Sequence, residues 1–385
     1  MRKKQVRLTP ECSGSYLVYR AVKNSTCAPA SLLVKLCNEA KGVPYVIDPM
    51  TYAFGSYVDP ETGQSRTDLD WIKSDQNPHQ EQPKGDHATA MLENKLERHS
   101  VRIGFIGLGL MGSRLARRLH TSGWRIQAWN RSPKPAEALR LDGVAIATSV
   151  ANLVVESDVI LSSLANDAAA HAIYFDDQGV FSAVRPGTIV LEMSTISPEL
   201  SRRLHAEAVN RGVRFLDLAI SGSTPAVEAG TVTLLAGGDR GTFNECTPLF
   251  ESIAKQWFLI GPGSSGIKMK LVVNLMLGVT MEAIAEAISL GDHLQIDRNV
   301  LLDVLSQTAV IPPAHKGKFQ KIKNHDYSPE FPLRLMSKDM NLVLDTAVAL
   351  GAELPAAKAA QTVFASNVPT SGDLDLSAIT PFIVN

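Results

Sequence analysis

The stretch "VRIGFIGLGLMGSRLARRLHTSGWRIQAWNRS", Val101 to Ser132, decides how the rest of the chain is read. "VRIGFIG" is a continuous apolar run ending in glycine, the pattern of a strand buried on both faces. It runs straight into Gly107-Leu108-Gly109-Leu110-Met111-Gly112, and "SRLARRLHTSG" follows as an amphipathic helix closed by Gly123. "WRIQAWN" is a second strand. A GxGxxG alone is a weak signal; between a strand and a helix it is the dinucleotide-binding turn. Gly107 permits the tight turn, Gly109 lets backbone approach a pyrophosphate, and Gly112 allows close packing of helix on strand. The helix N-terminus then offers free N–H groups to the phosphates.

Downstream, "DVILSSL", "TIVLEMS" and "VRFLDLA" read as short strands separated by helices such as "SPELSRRLHAEAVNRG". Such alternation predicts a doubly wound parallel sheet, an α/β fold with helices on both faces. "TVTLLAGG" and "QWFLIG" add strands around a helix "GTFNECTPLFESIA". Beyond Gly266 strand signals stop. A long apolar helix from about 265 to 294 leads into "NVLLDVLSQ", "KDMNLVLDTAVALGA" and "AAKAAQTVFASN", all helical. The expected plan is a Rossmann-like unit over 99–264 and an all-helical unit over 265–385, the long helix joining them. Residues 1–98 are patterned differently. "GVPYVIDPMTYAFGSYVDPETGQ" suggests a short strand, a proline turn and a loop, and the polar "KSDQNPHQEQPKGDH" suggests a linker. No role is read for this segment, and Met91 is a plausible internal start.

Composition narrows the function classes. At 385 residues and 45% hydrophobic content the chain can build more than one core. Its formal net charge of -1 offers no electrostatic footing for nucleic acid or an anionic membrane. No membrane span and no secretory leader are read. Cys12, Cys27, Cys37 and Cys246 lack CxxC spacing, so no metal site is expected and reduced thiols of a cytoplasmic protein are.

The end of the second strand bears on the cofactor. An NAD site places a carboxylate about 20 residues on, against the ribose 2′-hydroxyl. Here Asn130-Arg131-Ser132 stands instead. An arginine suits a 2′-phosphate through charge-assisted hydrogen bonds, so NADP(H) is expected in preference to NAD(H). Ser194 and Thr195 lie at a strand's C-terminal edge, where open α/β sheets bind ligands. Ser221-Gly222-Ser223 offers hydroxyls and backbone N–H groups suited to a carboxylate. In "GIKMKLVVN", Lys270 and Asn274 are four residues apart and share a helix face, while Lys268 points away.

In order and content these segments resemble the β-hydroxyacid dehydrogenase family, from about Val101 to the C-terminus. The dinucleotide loop takes the family's GxGxMG form at Gly107 to Gly112. Its catalytic GxxxKxxxN is matched by Gly266, Lys270 and Asn274, and a late KD pair by Lys338-Asp339. The substrate loop, usually DxPxSGG, reads "DLAISGS" from Asp217 to Ser223, with Ala219 for the proline and Ser223 for the second glycine. The SGS form, "KMKLVVN" and "FPLRLMSKDM" are most similar to the NADPH-dependent glyoxylate/succinic semialdehyde reductases. The resemblance implies reduction of a small aldehyde acid. Lys270 would be proton donor and Asn274 its hydrogen-bonding neighbour. Ser221, Gly222 and Ser223 would hold the substrate carboxylate, Thr195 would lie near the nicotinamide, and Lys338 would close over cofactor or carboxylate. It also implies a homodimer or homotetramer, which the apolar faces of "LGVTMEAIAEAISLGDHL" suit. The alternatives are 3-hydroxyisobutyrate or tartronate semialdehyde chemistry by the same residues, imine reduction (whose enzymes usually lose the lysine), and a non-catalytic NADP-binding scaffold.

Overall fold

A computed structural model describes residues 95–380, together with four short strands nearer the N-terminus. The chain divides into two compact units, Met1–Ala88 and Thr89–Asn385. In the first, Leu36–Cys37 pairs antiparallel with Pro44–Tyr45, and Ser56–Val58 with Ser65–Thr67. The linker expected at 73–87 and Met91 lie outside the described residues.

The second unit is built on one eight-stranded sheet. Its strands are β1 (Arg102–Ile106), β2 (Arg125–Trp129), β3 (Ala145–Ile146), β4 (Val159–Ser162), β5 (Ile189–Glu192), β6 (Arg214–Ser221), β7 (Val232–Gly238) and β8 (Ala254–Gly261). The spatial order is β8-β7-β6-β5-β4-β1-β2-β3. Chain order reverses between β1 and β4, and ligands bind outside the carboxyl ends of strands at such a switch point. Every residue of β4 and β5 is buried, as their unbroken apolar runs require.

The sheet departs from the expected all-parallel arrangement at one place: β7 pairs antiparallel with β6. The reason is length. Ser221 connects to Val232 through one short helix, α7 (Thr224–Ala229), and a parallel crossover needs about a dozen residues or more. β3, only two residues long, carries too little pattern to be read from sequence. Helices cover both faces: α1 (Leu110–Thr121), α2 (Pro133–Leu141), α3 (Val150–Glu156), α4 (Asp167–Phe175), α5 (Val180–Ala183) and α6 (Pro198–Asn210) precede α7. The helix expected over "GTFNECTPLFESIA" is two, α8 (Arg240–Glu245) and α9 (Thr247–Ile253), because Pro248 starts the second and cannot donate within a continuous helix. One apolar core lies on each face, around Phe105, Leu115 and Phe250 on one and around Leu153, Tyr174 and Leu204 on the other.

α10 (Ser265–His293) leaves the sheet and enters the helical domain. There α11 (Arg298–Gln307), α12 (Pro313–Lys323), α13 (Leu333–Leu350) and α14 (Pro355–Ser371) surround a third core around Met281, Ile288, Met336 and Phe364. α12 is additional to the helices expected from the sequence, and α13 begins five residues before the expected Lys338. By length and apolarity α10 would suffice to cross a membrane. Here it packs on β6 and β7 at one end and on α13 and α14 beyond. Its buried residues include Lys270, Asn274 and Glu282. Lys318 of α12 pairs with the buried Asp375 at 2.9 Å, and Asp375 also accepts from Phe331 N, fastening the C-terminal segment to the start of α13.

Candidate active site

The dinucleotide turn is held from beneath by its own neighbours. Gly107 N donates to Trp129 O at 3.0 Å, and Leu108 N to Asn130 Oδ1 at 2.8 Å. Asn130 Nδ2 donates to Ser132 O, so this side chain stitches the ends of β1 and β2 together. The three glycines serve three different needs. A Cβ on Gly107 would stand 2.3 Å from Ser163 O, and one on Gly112 2.0 Å from Gly107 O. A Cβ on Gly109 would meet nothing within 4 Å. The last is a cradle that protein atoms leave open, at the start of a helix that no side chain caps. Residues and space therefore fit a pyrophosphate. Leu110 and Gly109 are exposed, Met111 partly so. Arg131 and Ser132 stand exposed at the end of β2, and Arg131 makes no ion pair among the described residues.

The Ser194-Thr195 turn is fixed from below. Glu192, fully buried, accepts from Ser194 N at 2.7 Å and from Ser162 Oγ, while Tyr174 shares the Ser162 hydroxyl at 2.7 Å. Burial raises the Glu192 carboxyl above its ordinary range. Ser194 Oγ in turn accepts from Leu164 N at 2.7 Å. The ends of β4 and β5 thus form one rigid ledge.

Across from the ledge, α10 and α13 bring four polar residues together. Asn274 is completely buried; its Nδ2 donates to Asp339 Oδ2 at 2.6 Å, and its Oδ1 has no partner. Lys338 Nζ contacts Asp339 Oδ1 at 2.7 Å as an ion pair without hydrogen-bond alignment, and donates to the carbonyl of Thr195. Lys338 therefore bridges the two domains, where the sequence suggested a lid. Lys270 is 9% exposed and makes neither hydrogen bond nor salt bridge among the described residues. Burial brings its pKa down from 10.5 to about 8; Asp339 pulls it back up and Lys338 pushes it further down. Burial raises the Asp339 carboxyl, against the pull of Lys338. Lys268 is exposed.

A lysine near pH 8 donates a proton to an oxyanion when charged and accepts one from an alcohol when neutral. If Lys270 is the acid, the reductive rate should be level below pH 8 and fall about tenfold per unit above it. The oxidative rate, which needs the neutral amine, should rise about tenfold per unit up to pH 8 and level off above it. A reductive profile that stays flat to pH 10 would remove Lys270 from the proton transfer.

Ser221 ends β6, Gly222 follows with φ of +152°, and Ser223 precedes α7. Among the described residues, no hydrogen bond joins these three to the lysine cluster. The helix that follows them is tied instead to the dinucleotide helix: Arg114 Nε pairs with Glu228 at 2.6 Å, and Arg118 donates to Glu228 O at 2.8 Å. Sequence reasoning passes over Asp339 as a site residue although it follows Lys338 directly. Its partnership with Asn274 depends on how α13 crosses α10, and no local signal carries that.

Residues 102–261 match the NAD-binding domain of 6-phosphogluconate dehydrogenase, and residues 264–383 the NAD-binding domain of NADP-dependent 3-hydroxyisobutyrate dehydrogenase. Glyoxylate/succinic semialdehyde reductase 1 of Arabidopsis thaliana is 32% identical over 280 residues, 72% of this chain and 97% of the relative. The chain belongs to the β-hydroxyacid dehydrogenase family. It is an NAD(P)-dependent oxidoreductase of that type. NAD-dependent L-serine dehydrogenase of Pseudomonas aeruginosa is 32% identical over 68% of this chain and 91% of its own length. Human cytokine-like nuclear factor N-PAC is 30% identical over 72% of this chain, which spans 50% of that longer protein. Among solved structures, 3-hydroxyisobutyrate dehydrogenase of Salmonella typhimurium superposes with a TM-score of 0.68 at 28% identity, over 74% of this chain and all of that one. This β-hydroxyacid dehydrogenase keeps the family's mostly parallel sheet with a helical C-terminal domain.

Proposed function

We propose that this dehydrogenase reduces a small aldehyde acid, glyoxylate or succinic semialdehyde, with NADPH. The observation that carries the reading is the Lys270 amine, buried, unpaired among the described residues and held near pH 8 beside an Asn274 carbonyl oxygen that has no partner. A nicotinamide cofactor bound at the glycine turn would supply the hydride. Lys270 protonates the carbonyl oxygen as it becomes an alkoxide, and Asn274 Oδ1 accepts from the Lys270 ammonium or the nascent hydroxyl. Ser221, Gly222 and Ser223 take the carboxylate. Lys338, bonded to Thr195, holds the helical domain against the nicotinamide ledge. The similarity to the Arabidopsis reductase over nearly all of that protein supports the substrate class.

The test is a panel of glyoxylate, succinic semialdehyde, tartronate semialdehyde and methylmalonate semialdehyde for reduction, with serine and 3-hydroxyisobutyrate for oxidation, under both cofactors. Faster turnover of a substrate outside the first pair would replace the proposed one. Cofactor retention with no turnover on any arm would favour a scaffold.

Preference for NADPH rests on Arg131 and the lack of a carboxylate beside it. A hydrogen bond to a charged group is worth about 1.5–3 kcal/mol. Arg131→Ala should therefore raise the KM for NADPH roughly ten- to hundredfold and leave NADH nearly unchanged. Equal effects on both cofactors would sink the assignment. Assembly into a homodimer or homotetramer is part of the same proposal. It is supported by exposed Met269, Val272 and Met276 along α10 and by Val300 and Val304 on α11, and is read directly by light scattering.

A further inference from the structure

α10 carries Lys270 in its second turn, yet it does not cap itself. Ser264, its N-cap residue, makes no side-chain cap bond, and its Oγ is buried without a partner. The cap comes from β6. Asp217 Oδ1 accepts from Ser264 N at 2.7 Å, and Asp217 Oδ2 from Ile267 N at 2.8 Å. A third contact, from His205 Nε2 on α6, reaches Asp217 Oδ1 at 2.7 Å.

The surroundings are shaped to this arrangement. A Cβ on Gly237 would lie 2.5 Å from Asp217 Oδ1, one on Gly266 2.8 Å from Asp217 O, and one on Gly263 2.6 Å from His205 Nδ1. Ser264 itself is held at φ +70°, a left-handed conformation uncommon outside glycine. A non-glycine residue stays there only when its surroundings over-determine it, and such positions cluster at functional sites.

We propose that Asp217 and His205 are positioning residues for the reaction: the doubly bonded carboxylate sets the height and rotation of the first turns of α10, and so aims Lys270. One hydrogen bond would leave the helix free to turn about it. Two, to N–H groups three residues apart, fix both translation and rotation. His205 then keeps the carboxylate itself from swinging. Ser221 lies four residues further along the same strand as Asp217. One strand therefore carries both the aim of the proton donor and the start of the carboxylate clamp, and their spacing is set within a single rigid element. The inference rests on Lys270 being the proton donor, as proposed above.

The test uses full-length protein with saturating NADPH, at a temperature where circular dichroism shows each variant folded. Asp217→Asn and His205→Ala should each lower kcat by about ten- to a hundredfold, the loss typical of a reacting group misplaced by about 1 Å. The KM for NADPH should stay unchanged, since α1 and β2 are untouched. His205→Gln, whose Nε2 can donate to the same oxygen, should recover most of kcat. In a Lys270→Ala background, His205→Ala should cause no further loss, because the effect acts through the lysine. A merely structural role would lower the residual rate there as well. Wild-type kcat in both single variants, or an undiminished loss in the Lys270→Ala background, overturns the inference. If Asp217→Asn fails to fold, the His205 variants decide the matter alone. Lack of wild-type turnover on every substrate of the panel would overturn the assigned reaction and this inference with it.

Discussion

Replacing Lys270 by alanine or methionine is expected to lower turnover by about a hundred- to ten-thousandfold, the usual contribution of a positioned general acid, while the nicotinamide cofactor binds as before. Lys270 makes no hydrogen bond or ion pair among the described residues, so its removal unsatisfies no direct partner there. Stability should move the other way. With a folded pKa of about 8 against 10.5 unfolded, the charged lysine penalises the folded state by roughly 3 kcal/mol at neutral pH, at about 1.36 kcal/mol per unit. That penalty is fully present below pH 8 and is relieved as pH rises from 8 to 10.5. Lys270→Met should therefore unfold no earlier than wild type at pH 7, and the gap should narrow by pH 10. Retained turnover would end the proposed mechanism. A large loss of thermal stability at pH 7 would show that the lysine holds the fold together.

Gly266→Ala should be strongly damaging for the addition of one methyl group. A Cβ there would stand 2.4 Å from Leu235 O, 2.8 Å from Asp217 O and 2.9 Å from the Ala236 carbonyl carbon, all backbone of β6 and β7. No side chain can move aside, so α10 must lift from the sheet. Overpacking of this kind costs about 1–3 kcal/mol, occasionally more, and Lys270 moves with the helix, adding on the order of a hundredfold in kcat. Gly109→Ala supplies the contrast. Its Cβ meets no protein atom within 4 Å, so the melting temperature should be unaltered, and the loss should fall on cofactor affinity. Thermal unfolding and cofactor titration of the two variants separate a glycine that makes room for the protein from one that makes room for a ligand. Normal stability in Gly266→Ala would mean that the helix does not sit where its contacts place it.

Much of this architecture is legible in the chain because its signals are local. The strand, glycine turn and helix of Val101 to Gly123 encode a dinucleotide fold through burial and backbone geometry that neighbouring residues alone impose. The four-residue spacing of Lys270 and Asn274 sets a shared face on any α-helix. The exposed Arg131 follows from its place after β2. The split between α8 and α9 escapes the reading of one helix, although Pro248 marks it locally.

Other features depend on which elements meet. The reversed β7 follows from a connection too short to cross over, which matters only once the two strands are neighbours in the sheet. Lys338 and Asp339 are neighbours in the chain; the crossing of α13 over α10 gives Asp339 its Asn274, and the facing of the two domains gives Lys338 its Thr195. The amine of Lys270 is ordinary in sequence and is brought near pH 8 only by tertiary burial. The α10 cap comes from Asp217, which reaches Ser264 across 47 residues of sequence, a separation that no helical pattern spans. Local sequence determined which residues can do the chemistry. Long-range packing decided which of them are buried, paired and aimed, because desolvation and hydrogen-bond geometry exist only once distant segments touch.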